Sequence, residues 1–210
     1  MATFTSVETP KGVAGLRDLT PEDIPAIIHY WLSSSDEYFA FLGVDRQRLG
    51  GADDIRTRYL NAIRTGDPDQ HTISLAVTLH AQLAGYTLFV RHSDDVNFCH
   101  WHIIAPNLRA QGLSTALYPH RIKALFDIAP ISRLIHQTRT RNLPVNRMLD
   151  KFFPVAETKI IDQPDGVGLP GEFHLRYVTR ADIPRIFARA EQLRAASSSR
   201  RRHATVEPGS

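Results

Sequence analysis

Apolar residues recur at helical spacing between positions 24 and 64 and alternate with polar ones between 72 and 105; that change of period divides the chain into elements. Gly15 to Leu19 reads as a short strand, and Thr20-Pro21-Glu22-Asp23 opens a helix. Thr20 is placed to cap the amide three residues on, Pro21 suits the first helical position, and the two acids suit the positive end of the helix. Ile24, Ile27, Ile28 and Trp31 share one face and carry this helix to about Leu32. A polar break, SSSDEYFAFLGVD, leads to a second helix from about Ala52 to Arg64, which Gly66-Asp67-Pro68 stops.

Thr72 to Leu79 and Leu83 to Arg91 alternate as strands around a tight turn at His80-Ala81-Gln82, and Val96 to Ala105 is a third strand. Leu113 to Phe126 is a helix, Ile131 to Thr138 a strand, and Pro144 to Phe153 another helix. Val155 to Ile161 and Glu172 to Val178 are strands joined by the loop DQPDGVGLPG. The order predicts a mixed α/β fold, a mainly antiparallel central sheet with helices on both faces.

Composition narrows the class. Apolar residues make up 42% and charged ones 22% of 210 residues, ordinary globular usage. The net charge of +3 invites a search for a basic face, but Arg194, Arg200, Arg201 and Arg202 against Glu207 account for all of it. Residues 1–193 are balanced, so charge argues against a nucleic-acid partner and leaves a basic tail over 196–210, predicted to be disordered. Cys99 is the single cysteine, which excludes an internal disulfide. Neither a secretory leader nor a roughly 20-residue apolar span is present, so no membrane role and a cytoplasmic location are expected.

The segment IIAPNLRAQGLSTAL, Ile103 to Leu117, carries the chemistry. A strand ends, Pro106 turns the chain, and Arg109-Ala110-Gln111-Gly112-Leu113-Ser114 enters a helix whose first amides point outward without partners. Such a turn suits a pyrophosphate. Two residues apart on the preceding strand, His100 and His102 project from one face, with Cys99 on the other as a packing residue. A histidine with a pKa near neutral suits removal of a proton from an ammonium substrate. No His-x-x-x-His pair occurs, and the two histidines lack an acidic or cysteine third ligand nearby in sequence, so no metal is expected. Gly-x-Ser-x-Gly and Walker motifs are also absent.

The strand order, the proline and the spacing Arg-x-x-Gly-x-Ser resemble the acetyl-CoA-binding motif of the GNAT acetyltransferase superfamily, with Ser114 where Gly or Ala is usual. The resemblance covers residues 14 to 178, including the entrance GLRDLTPEDIPAI, Gly85 and Asn142. It implies that amides of Arg109, Ala110, Gln111, Gly112, Leu113 and Ser114 hold the pyrophosphate of coenzyme A. Ile103 and Ile104 would pair with the pantetheine amides, and Asn142 and Asn146 would supply polar contacts, Asn142 as a catalytic landmark. The family's tyrosine acid, seven residues beyond the Asn, is replaced by Leu149. His100 and His102 are similar to the His-x-His pair of arylalkylamine acetyltransferases, shifted two residues toward the turn.

The implied function is transfer of an acetyl group from acetyl-CoA to a primary amine, with a non-catalytic acyl-CoA-binding regulatory module as the alternative. The acceptor side is expected from the loops Ser33 to Leu42 and Asp162 to Gly171, where Asp36 and Glu37 are placed to attract a cationic amine. A domain over 1–178 is followed at 179–195 by an extra C-terminal helix, which would pack on the sheet or mediate a homodimer. Its approach, from Leu175 to Ile186, repeats the pattern of Leu16 to Ile27 at an offset of 159.

Overall fold

Thr3–Thr9 (β1) and Gly12–Asp18 (β2) form an antiparallel hairpin at the start of the chain. The computed structural model describes residues 3–67, 69–109, 111–164 and 166–204. β1 is absent from the periodicity because TFTSVET carries only two large apolar residues, and partnership with β2 makes it a strand. β2 correspondingly starts three residues before Gly15.

A single helical turn over Pro21–Asp23 leads into α1 (Ile24–Leu32). The expected cap is reversed in its side-chain chemistry. The Asp23 carboxylate accepts from Thr20 N–H at 2.9 Å and Thr20 Oγ1 at 3.3 Å while Arg17 holds it at 2.6 and 2.7 Å. The polar break condenses into α2 (Asp36–Leu42), capped by Ser35 Oγ accepting from Tyr38 N–H, and the residues that follow it form α3 (Arg46–Leu49), capped by Asp45 at the end of the break. α4 (Ala52–Asn61) ends three residues before Arg64.

There follow β3 (Thr72–Leu79), β4 (Gln82–Ser93), β5 (Val96–Ile103), α5 (Leu113–Ile128), β6 (Arg133–Arg139) and α6 (Leu143–Leu149). The chain then forms β7 (Glu157–Ile161), β8 (Gly171–Thr179) and α7 (Ile183–Ala204). The eight strands make one sheet in the order β1-β2-β3-β4-β5-β6-β8-β7. Every neighbouring pair is antiparallel except β5 and β6, which α5 connects as a parallel crossover.

Alternation sorts the sheet's side chains into two cores. Leu75, Phe89 and Leu134 meet α5, α6 and α7 on one face, whereas Ala76 and Tyr86 meet Ile27, Trp31 and Ile55 of α1 and α4 on the other. α7 buries Ile186 and Ala190 in the first core and packs on α5. It runs nine residues past the expected end near Ala195, because arginine is a good helix former and propagation costs far less than nucleation. The part of the basic tail at 205–210 lies outside the described residues. The internal resemblance is structural too: Asp182 accepts from Thr179 N–H and Oγ1, both at 2.9 Å, as Asp23 does from Thr20. Among the described residues no helix is long and apolar enough to cross a membrane.

Candidate active site

β5 and β6 are paired at three positions, Val96 with Arg133, Asn97 with Leu134 and Phe98 with Ile135. Beyond these, β5 continues to Ile103 and β6 to Arg139 without pairing each other, so the strands part like a V. The open end of β5 leads into the turn that starts α5. There Gly112 has φ +83, and a Cβ on it would meet nothing within 4 Å. That left-handed angle is what glycine supplies at low cost, and it leaves space in front of the helix start. The first bond across that start runs from Ala116 N–H to the Gly112 carbonyl, so the amides just before it have no carbonyl one turn back. Ala110 lies outside the described residues.

His100 and His102 share the face of β5 toward α1, with Cys99 buried on the opposite face, 3.7 Å from Thr87 Oγ1. Their settings differ. His102 stacks on Tyr86 with ring centroids 5.0 Å apart, meets Trp31 edge-on, and shares a 3.2 Å hydrogen bond between its Nδ1 and the Tyr30 hydroxyl. Tyr30 continues the chain to the Tyr38 hydroxyl at 3.2 Å. Burial, then the charges of His100 and Arg109, push the His102 imidazole down to about 3. A base that weak is poorly matched to proton abstraction near neutrality. His100 keeps solvent-exposed surface on the stretch of β5 beyond its pairing with β6. Burial followed by the Arg121 charge lowers its pKa, so it stands neutral at pH 7 and ready to accept a proton.

Gly85 holds β5 in place. It pairs with Ile103, and a Cβ there would lie 2.2 Å from the His102 carbonyl oxygen. Gly85→Ala is therefore expected to destabilise the protein by about 1–3 kcal/mol, read as a lower urea midpoint. A change below about 0.5 kcal/mol would contradict this packing.

Across the V, Asn142 precedes α6 with its Oδ1 buried and without a hydrogen-bond partner among the described residues. An orphaned acceptor at this place fits an incoming N–H donor. Asn146 is engaged within the fold. Its Oδ1 accepts from Thr138 at 2.7 Å and Arg176 at 3.0 Å, and its Nδ2 donates to the Arg139 carbonyl at 2.8 Å, so it ties α6 to the sheet. Ile103 and Ile104 are also partly engaged: the Ile103 carbonyl accepts from Arg109 Nε at 3.2 Å, and Ile104 N–H donates to Ala84 at 3.0 Å. Leu149 is buried at 1% exposure in the core beside Tyr118 and Phe152.

A cleft of about 540 Å³ lies on the α1 side of the turn, walled by Tyr30, Ser34, Tyr38, Leu83, Pro106 and Arg109. The Arg109 guanidinium stacks 4.7 Å from the Tyr38 ring. The loop Ser33 to Leu42 contributes Ser33, Ser34, Ser35 and Tyr38 to the wall of this cleft. The loop Asp162 to Gly171 instead meets the end of α2, with Leu169 N–H donating to Gly43 at 2.8 Å. Asp36 is already paired with Arg46 at 2.6 Å, so its charge is partly spent before any cationic acceptor arrives.

Arg121 escaped the sequence reading. It falls on the buried stripe of α5 between Leu117 and Leu125, four residues from each, and that spacing is the signal that exposes a charged side chain among core positions. It is 2% exposed, with its guanidinium 4.5 Å from the Trp101 ring. Among the described residues no group of three histidine, cysteine or acidic side chains is arranged to hold a metal ion.

The histidines also set an acid limit on stability. His102 and His136 are held neutral in the fold, chiefly by burial, so the unfolded chain takes up their protons first as pH falls below about 6.5. Their contribution is complete above that value and is lost toward pH 3. Urea unfolding at pH 5.0 is expected to show lower stability than at pH 7.5, with His102 contributing on the order of 1–2 kcal/mol after allowance for its partial exposure. Equal stability at the two values would refute the neutral-histidine assignment.

No protein-family model and no curated protein sequence matches the chain. Solved structures do match. Mycobacterium smegmatis RimJ in complex with CoA-disulfide is 17% identical, with 94% of this chain and 98% of that one covered and a TM-score of 0.71. The aminoglycoside acetyltransferase AAC(6')-Ib in complex with coenzyme A is 17% identical over 82% of this chain and 98% of that one, at a TM-score of 0.63. The microcin C7 self-immunity acetyltransferase MccE, in complex with acetyl-CoA and AMP, is 12% identical over the same shares at 0.61. The chain therefore has the fold of these acetyltransferases, the mixed, mainly antiparallel GNAT architecture that its Arg-x-x-Gly-x-Ser turn implies.

Proposed function

We propose that this protein is an N-acetyltransferase that moves an acetyl group from acetyl-CoA to a primary amine by direct transfer. The observation that carries the reading is the parting of β5 from β6 beside a helix start left open at Gly112. Neighbours of the same fold hold CoA or acetyl-CoA. The residues present fit that ligand in part: the Arg109 N–H already donates to the Pro106 carbonyl at 3.2 Å, which leaves the amides from Gln111 to Ser114 to meet a pyrophosphate at the positive end of α5. The orphaned Asn142 Oδ1 can accept from a pantetheine amide, and the Ile103 carbonyl keeps a second lone pair.

Transfer then needs little from the protein beyond position and one base. The neutral amine adds to the thioester carbonyl, the carbon–nitrogen bond forms, and the carbon–sulfur bond breaks as the thiolate leaves. His100 takes the proton from the attacking nitrogen. A thiol with a pKa of about 8.5 leaves readily as thiolate, so the apolar Leu149 in place of a phenolic acid is compatible with turnover. His102, fixed by Tyr30 and Tyr86, is a positioning residue for the strand. The acceptor would enter by the cleft at Tyr30, Tyr38 and Ser34.

Thiol release from acetyl-CoA against a panel of polyamines, aminoglycosides and peptide N-termini tests this. Amine-dependent release above background hydrolysis is expected. CoA binding with no turnover on any amine would favour a non-catalytic acyl-CoA-binding module, the reading that Leu149 supports.

A further inference from the structure

Arg121 is a buried cation without a counter-charge. Its Nε and Nη1 have no hydrogen-bond partner, the buried Trp101 Nε1 beside it has none, and among the described residues no carboxylate forms an ion pair with it. Contacts with the faces of Trp101 at 4.5 Å and Tyr118 at 5.2 Å recover only part of what desolvation costs a guanidinium. Its place in the fold says what could complete it. Trp101 lies on β5, and Tyr118 hydrogen-bonds His136 Nε2 on β6 at 2.9 Å, so the two rings that contact the guanidinium touch the two strands that part. His100 and His136, on either side of that gap, both feel its charge. The cleft at Tyr30, Tyr38 and Arg109 lies toward α1 and does not include Arg121. A ligand arm that starts at the Gly112 turn and follows β5 would pass Trp101, the residue on which the guanidinium stacks.

We propose that Arg121, with Trp101 Nε1, binds a carboxylate on the acyl group of the donor, so that coenzyme A thioesters of short dicarboxylic acids bind this site more tightly than acetyl-CoA. This rests on the CoA-dependent reading of the site and names its donor class. A carboxylate supplies the missing charge and accepts the fork of N–H donors with the geometry that guanidinium favours. The methyl group of acetyl-CoA leaves those donors unmet.

The test is calorimetric titration of the full chain with CoA, acetyl-CoA and succinyl-CoA, repeated with Arg121→Met. Succinyl-CoA is expected to bind the wild type at least about tenfold more tightly than acetyl-CoA, and the ratio is expected to fall to about one in the variant. A wild-type ratio near one, with CoA itself bound, overturns the assignment of Arg121 and leaves the functional reading standing. A ratio that survives Arg121→Met overturns it as well, as does an Arg121-dependent preference for acidic acceptors in place of acidic donors. Failure of CoA to bind at all removes the functional reading itself. The wild-type ratio needs no variant to fold.

Discussion

His100→Ala is expected to lower kcat by about 10²- to 10⁴-fold with the KM for acetyl-CoA little changed, because it removes a proton acceptor and no contact with the coenzyme. Two features single out His100 over His102. It is exposed on the part of β5 that no longer pairs with β6, whereas His102 is enclosed by Tyr30, Trp31 and Tyr86. Its imidazole, lowered by burial and by the Arg121 charge, is neutral at pH 7. The kcat/KM profile should therefore carry an acid limb with an apparent pKa below 6.5, activity rising as the imidazole loses its proton, and that limb should vanish in His100→Ala. His102→Phe keeps the aromatic packing and is expected to cost less than tenfold in kcat. The reverse order of the two variants would move the base to His102.

Gly112→Val is expected to weaken CoA binding by roughly 100-fold, about 2.7 kcal/mol. Two costs combine. A β-branched residue at φ +83 forces the turn out of the left-handed region at about 1–2 kcal/mol, and the side chain it adds fills the open space before the first amides of α5. Stability should fall only by the strain, so the melting temperature drops by a few degrees while affinity collapses. Equilibrium binding of CoA to the folded variant measures this directly. Unaltered affinity would place the pyrophosphate elsewhere.

What the sequence made legible follows from range. Helices such as α1 and α5 announce themselves because Ile24, Ile27, Ile28 and Trp31, or Leu113, Leu117 and Leu125, repeat within the element. The Gly112 turn was legible for the same reason: its proline, glycine and following helix are contiguous. β1 was not, since its two large apolar residues set no pattern, and the strand exists through its ladder to β2. The short helices α2 and α3, of seven and four residues, are too short to set a helical period, although Ser35 and Asp45 are ordinary caps for them. The aromatic enclosure of His102 joins residues as far apart as Tyr30 and His102. The network that occupies Asn146 likewise reaches 30 positions to Arg176, and no local spacing encodes such contacts. The unpaired Arg121 belongs to the same class, because the helix face shows that the side chain is buried but only the packed fold shows that no carboxylate among the described residues pairs with it.

The central claim is that a CoA thioester lies between the parted strands with its phosphates at the start of α5. Amide hydrogen exchange of the full chain, with and without saturating CoA, tests it most directly. Protection should concentrate on residues 99–104 and 111–116 and around Asn142, with β1, β7 and the far half of α7 unchanged. No change in exchange at any of these positions, or protection confined to another part of the sheet, would contradict it.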